Sequence, residues 1–227
     1  MNKQTSNDIQ EWDKYWLNSQ EKSRLYELIA EFYRRFILKW ILNYFIRTSF
    51  EKNSSLLHAG CGSGRVDEDV LSMMSVTALD ISPKALEIYK KTNINKARML
   101  NGSIFKIPST DNKFNGIYNL GVMEHFTLAE INTILAEFKR VLKPSGKLLI
   151  FWPPRFGLTV IVLKATHIFL NSVLRMNIRL HPDEPNLIKS KKQVMFILNE
   201  AGFEVKRYYF GARDLFTQVV ILAENKE

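Results

Sequence analysis

Three glycines fall within five positions in the run Leu56-Leu57-His58-Ala59-Gly60-Cys61-Gly62-Ser63-Gly64-Arg65, and an acid, Asp80, closes the next apolar run. The run before the glycines reads as a strand and the stretch after them as a helix, so the loop is expected at a strand-to-helix turn. Glycine there permits backbone angles closed to other residues and lets a ligand approach the main chain closely. A carboxylate at the tip of the following strand can accept hydrogen bonds from both hydroxyls of a ribose. These residue types therefore suit a nucleoside-containing ligand at the carboxyl edge of an open α/β sheet. A dinucleotide fingerprint needs its third glycine where Arg65 stands, and no Gly-Lys-Ser/Thr follows to make a P-loop. Cys61 reads as a small filler in the turn.

Two further groups carry chemistry. Glu124 and His125 follow the apolar run Phe114–Asn119. A histidine with an ordinary pKa near 6.5 suits a general base at neutral pH. The plainer reading is that His125 lines a pocket or caps the next helix. The other group is Trp12-Asp13-Lys14-Tyr15-Trp16, an aromatic cluster in a terminus otherwise expected to fray. Histidines scattered at 58, 125, 167 and 181, with Cys61 the single cysteine, make neither a metal site nor a disulfide, so no metal is expected.

From Ser54 onward, short apolar runs alternate with helical patterns, as in βαβ units on a parallel sheet. Strands are predicted at 55–59, 76–80, 98–100, 114–119, 147–152, 203–210 and 215–223. Helices are predicted at 66–74, 83–92, 128–142 and 191–201. Pro83 suits a first helical turn with Ser82 as its N-cap. A short turn at 211–214 makes the last two strands antiparallel. Two segments stand outside this alternation. In Arg24–Arg47, Leu25, Leu28, Ile29, Phe32, Phe36, Trp40, Ile41 and Phe45 recur at helical spacing opposite a charged face. Leu158–Met176 reads as a helix with a broad apolar face and one narrow polar stripe, a cap rather than a membrane span.

The Gly-x-Gly-x-Gly loop resembles the first motif of class I S-adenosylmethionine-dependent methyltransferases, of the small-molecule or lipid type. Val76-Thr77-Ala78-Leu79-Asp80-Ile81 is similar to their second motif, in which the acid holds the ribose and the next apolar residue packs on adenine. Asn101-Gly102-Ser103-Ile104 stands where the family usually has Gly-Asp-Ala. The stretch from Phe114 through Asn119-Leu120-Gly121 to Glu124-His125 is similar to the fourth strand and its loop. Leu142-Lys143-Pro144-Ser145-Gly146 resembles the turn before the fifth strand. These motifs cover about residues 54–223 in the expected order. The resemblance implies a Rossmann-like, doubly wound seven-stranded sheet, mostly parallel with an antiparallel last strand. It adds an N-terminal helical arm over residues 1–50, a methyltransferase domain over 51–227, and a cap insertion at about 154–189 after strand five. It implies S-adenosyl-L-methionine as cofactor, held by His58, Ala59, Gly60, Cys61, Gly62, Gly64, Asp80, Ile81, Ser103, Ile104, Asn119, Leu120 and Gly121. Trp12 and Trp16 would form a lid, and Glu124 and His125 would act in catalysis. His58 and Ser103 replace acids usual in the family; the loss would weaken cofactor anchoring, or His58 would substitute for its acid through a water.

At 227 residues, with 46% hydrophobic and 24% charged residues, the chain can bury a full core and is not a disordered one. The net charge of +9 contains no block of like charges, and +4 of it falls in residues 158–195. A small-molecule or lipid-like acceptor is expected, with peripheral membrane contact as one reading of the apolar and basic segments. Nucleic acid is disfavoured by the absence of an RNA-reading module. An RNA substrate and a non-catalytic, methyltransferase-like subunit stand as the alternatives. With no charged-then-apolar leader, a cytoplasmic location is expected, peripheral to a membrane's inner face in that reading.

Overall fold

The computed structural model describes residues 10–16, 31–94, 96–158 and 186–226. The seven predicted strands are all present: β1 (Ser55–Ala59), β2 (Ser75–Asp80), β3 (Arg98–Asn101), β4 (Phe114–Leu120), β5 (Leu142–Trp152), β6 (Phe203–Tyr209) and β7 (Val219–Asn225). They form one sheet in the order β3-β2-β1-β4-β5-β7-β6. β1 through β5 pair in parallel, and β7 runs antiparallel between β5 and β6. The strand order reverses beside β1, so the tips of β1, β2 and β4 share one crevice at the carboxyl edge.

Successive residues of the central strands alternate between two apolar layers, as the pleat requires. Leu57, Ile117, Leu148 and Ile150 pack with α5 (Leu128–Val141) and α6 (Lys191–Glu200) on one face. Leu56, Tyr118, Leu149 and Phe151 face α2 (Lys39–Ser49), through Ile41, Leu42, Phe45 and Ile46, on the other. α4 (Pro83–Asn93) begins as predicted, with Pro83 in its first turn and the Ser82 hydroxyl accepting from the Ala85 amide at 3.0 Å. α5 opens on a reciprocal capping box between Thr127 and Glu130.

Three expectations are corrected. The helix predicted at 66–74 shrinks to α3 (Val70–Met73), because the acids ahead of it turn sideways. Asp67 reaches inward to His58 and Tyr89, and Asp69 accepts from Asn43 at 2.6 Å, so neither caps the helix. The helix predicted over 24–47 is described from residue 31, and Tyr33–Leu38 is a π-helical turn. Its wider winding rotates the face. Phe32, Phe36 and Trp40 consequently stand in solvent, while Leu42 and Ile46 are buried. Finally, β7 starts at Val219, because Leu215 and Phe216 adopt left-handed backbone angles and cannot belong to a strand. Leu25, Leu28 and Ile29, and all of the 158–176 segment beyond Leu158, lie outside the described residues.

Candidate cofactor and active site

The loop after β1 is fastened to the tip of β2. The amides of Gly60 and Cys61 both donate to the Leu79 carbonyl at 2.9 Å, and the Gly62 amide donates to Asp80 Oδ2 at 2.9 Å. Asp80 Oδ1 accepts from the Ser82 amide, also at 2.9 Å. Each carboxylate oxygen has two acceptor positions, so one on each is left for a ribose hydroxyl. Burial pushes the Asp80 carboxyl above its ordinary range, opposed by the amides of Ser82 and Gly62. Asn101 donates to the carbonyls of Asp80 and Ile81 at 3.1 Å, which fixes the backbone where an adenine would pack on Ile81.

Gly64 has φ +62°, and a Cβ there would lie 2.3 Å from the Tyr89 ring and 2.6 Å from Asn93 Nδ2. Neither neighbour is free to move: the Tyr89 hydroxyl donates to Asp67 at 2.6 Å, and Asn93 donates to the Gly64 carbonyl at 3.1 Å. Gly64→Ala therefore combines backbone strain with overpacking and is expected to cost at least about 3 kcal/mol. Thermal unfolding measures it; an unchanged melting temperature would contradict this packing.

His58 does not line the loop's open side. It is 2% exposed, its Nδ1 lies 2.6 Å from Asp67 Oδ2, and its ring stacks on Tyr118 at 4.3 Å. Asp67, fully buried, ties His58 to Tyr89 and so to the underside of the glycine turn. Cys61 is also buried, and burial raises its thiol well above the ordinary range, which keeps it protonated and inert. The Ser103 oxygen accepts from the Phe105 amide at 3.2 Å, and Ile104 is buried beside it. Asn119 donates to the Ala59 carbonyl at 2.7 Å, locking the tips of β4 and β1 together, and its Oδ1 has no partner among the described residues. Leu120 and Gly121 continue that tip, and the Gly121 amide donates to the Phe151 carbonyl at 3.1 Å.

Residues 10–16, helical and labelled α1, lie across this edge. The Ser82 hydroxyl donates to Asp13, whose carboxylate also accepts from the Lys84 amide at 3.4 Å, so α1 is fastened to the start of α4. Trp16 rests on the bare backbone of Gly62, where a Cβ would come within 2.7 Å of the indole. Trp16, Tyr15 and Trp12 follow one another edge-to-face at 5.3 and 5.7 Å, and Trp12 meets His125 at 5.4 Å. A continuous row of rings thus joins the glycine loop to the turn after β4. His125 sits half-buried in the 3-10 turn Met123–His125, beside a buried Glu124. Asp13, Asp67, Tyr89 and Asn101 escaped the sequence reading. Asp13 lies inside the aromatic cluster and Asn101 opens the Asn101–Ile104 motif, whereas Asp67 and Tyr89 carry no local signal.

The residues at the crevice fit a nucleoside carrying an amino-acid tail. They offer a carboxylate for the ribose, an apolar ledge, and a glycine backbone with no side chain to exclude the tail. The architecture and this site define a Rossmann-like α/β fold of the nucleoside-binding kind. Residues 57–150 match the family model described as methyltransferase domain. A protein of Schizosaccharomyces pombe described as an uncharacterized methyltransferase is 33% identical over 109 residues, 42% of this chain and 38% of the relative. The chain thus spans well under two thirds of that relative. An S-adenosylmethionine-dependent methyltransferase from Methanosarcina mazei superposes with TM-score 0.62 at 17% identity, covering 80% of this chain and 97% of its own. Magnesium protoporphyrin IX methyltransferase from Synechocystis, solved with bound SAH, gives 0.60 at 16% identity over 82% and 80%. Residues 57–150 are thus similar to a methyltransferase domain, and the chain has the fold of the S-adenosylmethionine-dependent methyltransferases.

Proposed function

We propose that the chain transfers a methyl group from S-adenosylmethionine to a small or lipid-like acceptor. The observation that carries this reading is the union of two features: the Asp80–glycine-loop cradle, and the row of rings from Trp16 to His125 across the same edge. When bound, the cofactor supplies an electrophilic methyl on a sulfonium centre. The chain's residues then have three tasks. Asp80 accepts from the ribose hydroxyls, and the bare backbone of Gly60 and Gly62 admits the tail. Trp12 and Trp16 exclude water from the edge and hold the acceptor in line, which is the main source of acceleration for an in-line displacement. His125 or Glu124 takes the proton of an acceptor hydroxyl or amine.

A small or lipid-like acceptor is favoured by the apolar side chains at this edge, Phe156, Phe210 and Phe216 among them. A structural relative whose substrate is a magnesium porphyrin supports the same class. The pairing of His58 with Asp67 gives that departure from the family a structural role, so Ser103 alone still favours a scaffold. Formation of S-adenosylhomocysteine from S-adenosylmethionine, measured with small aromatic compounds, phospholipids or RNA as acceptor, tests this function. Turnover with one of the first two and none with RNA is expected. Turnover with RNA alone would sink the small or lipid-like acceptor.

A further inference from the structure

The turn between β6 and β7 is built against its own backbone preferences. Leu215 and Phe216 have φ of 57° and 56°, a conformation rare for bulky residues and costly in two consecutive ones. They are also 50% and 48% exposed, so the strain does not bury them. A buried acid enforces the turn. Asp214 Oδ2 accepts from the Gln218 amide at 2.7 Å and the Thr217 hydroxyl at 3.2 Å, while Leu215 and Phe216 donate to the carbonyls of Ala212 and Gly211. A conformation held this firmly to display two apolar side chains to water points to a surface that receives them.

The display continues on both sides. Phe216 meets Phe210 at 5.4 Å, Phe210 meets Phe156 at 5.2 Å, and the Leu158 amide donates to the Phe216 carbonyl at 2.9 Å. Phe156 and Leu158 are each 47% exposed. Two contacts join the turn to the exposed aromatic stripe of the π-helical turn and α2. The Tyr33 hydroxyl lies 2.6 Å from Thr217 Oγ1, and the Arg213 guanidinium sits 4.3 Å over Tyr44, which stacks on Trp40. The charges in these segments are one-sided. Among the described residues, Arg34, Arg35, Arg155 and Arg213 outnumber the acids of these segments: Glu31 is exposed but is offset by its pairing with Arg65, and Asp214 is buried. A second copy of the chain would set arginine against arginine across such a face, whereas an anionic lipid surface complements it.

We propose that this rim docks the chain on an anionic bilayer, with Leu215 and Phe216 inserted among the lipids. It lies at the carboxyl edge of β5 and β6, the same edge as the glycine loop and His125, so docking turns the acceptor side toward the membrane. Among the described residues no helix is long and apolar enough to cross a membrane. The inference rests on the lipid-like branch of the function proposed above.

Flotation of the full chain tests it, with vesicles of phosphatidylcholine alone and of an equimolar mixture with phosphatidylglycerol. Asparagine tolerates the left-handed conformation, so the double variant Leu215→Asn, Phe216→Asn keeps the turn and should melt no lower than the parent. The parent should float with the anionic vesicles, less so at high salt, and the variant should bind at least about tenfold more weakly. The proposal is overturned if the parent does not float, if the variant floats equally well, or if the face proves to hold a dimer that the variant dissociates. Titration with S-adenosylhomocysteine in parallel separates the two readings. A chain that binds the nucleoside but no vesicle refutes docking alone, and one that binds vesicles but no nucleoside refutes the enzyme while leaving docking supported.

Discussion

Asp80→Ala is expected to abolish measurable binding of S-adenosylmethionine and S-adenosylhomocysteine. The substitution removes the carboxylate that ends β2, and it leaves the amides of Gly62 and Ser82 without their acceptor. Losing charge-assisted hydrogen bonds to two ribose hydroxyls is worth about 3 kcal/mol, more than a hundredfold in affinity. Asp80→Asn, which keeps an oxygen for one amide, should fall between the two. The pH dependence has a definite sign. Because burial raises the Asp80 pKa above its ordinary 3.8, the ionised form that binds ribose is lost on acidification earlier than for an exposed aspartate. For folding the sign is opposite: burial of this acid favours stability below its unfolded pKa, and that contribution disappears as pH rises through the folded one. Calorimetric titrations across the acid range read the first effect, and thermal unfolding at the same pH values reads the second. Affinity that holds constant into the range where ordinary aspartates protonate would contradict the role given to Asp80.

His58→Asp, which restores the residue type usual in the family, is expected to destabilise the fold rather than improve the site. The new carboxylate would face Asp67, which is fully buried and lies 2.6 Å from the imidazole it replaces. Two buried carboxylates at that separation cannot both ionise. The cost is about 3 kcal/mol or more at neutral pH, on the order of 10 °C in melting temperature for a chain of this size. One acid of the pair would then carry a raised folded-state pKa. Its stabilisation would be present at low pH and lost as pH rises, so the gap between variant and parent should narrow on acidification. His58→Gln, which breaks the bond without adding charge, should cost less. A His58→Asp protein that melts like the parent at neutral pH would show that His58 is not the partner that settles Asp67.

The sheet was legible because its strands are apolar runs separated by turn residues, and the ends of β1, β2 and β4 follow from the glycines, Asp80 and Asn119. Local chemistry also announced the start of α4, where Ser82 and Pro83 sit side by side. What escaped depends on partners distant in sequence. His58 looked like a weakened cofactor ligand because Asp67 lies in a stretch patterned as helix and Tyr89 falls on the far side of β2. The exposed stripe at Phe32, Phe36 and Trp40 shares its apolar spacing with the buried Ile41 and Phe45, and a π-helical turn shifts a face without altering that spacing. Leu215 and Phe216 looked like the start of a strand, and only the buried Asp214 beside them explains why they turn outward. Asp13 joins α1 to α4 across 69 residues, a pairing no local pattern encodes.

The edge holding Asp80, the glycine loop and the two indoles of α1 is proposed to be an S-adenosylmethionine site. Its most direct test is titration of the wild-type chain with S-adenosylhomocysteine, followed by calorimetry and by tryptophan emission together. Saturable one-to-one binding is expected, with an emission change that Trp16→Phe reduces, because Trp16 lies on Gly62 where the tail must pass. A folded chain that shows neither heat nor emission change at millimolar ligand would contradict this assignment.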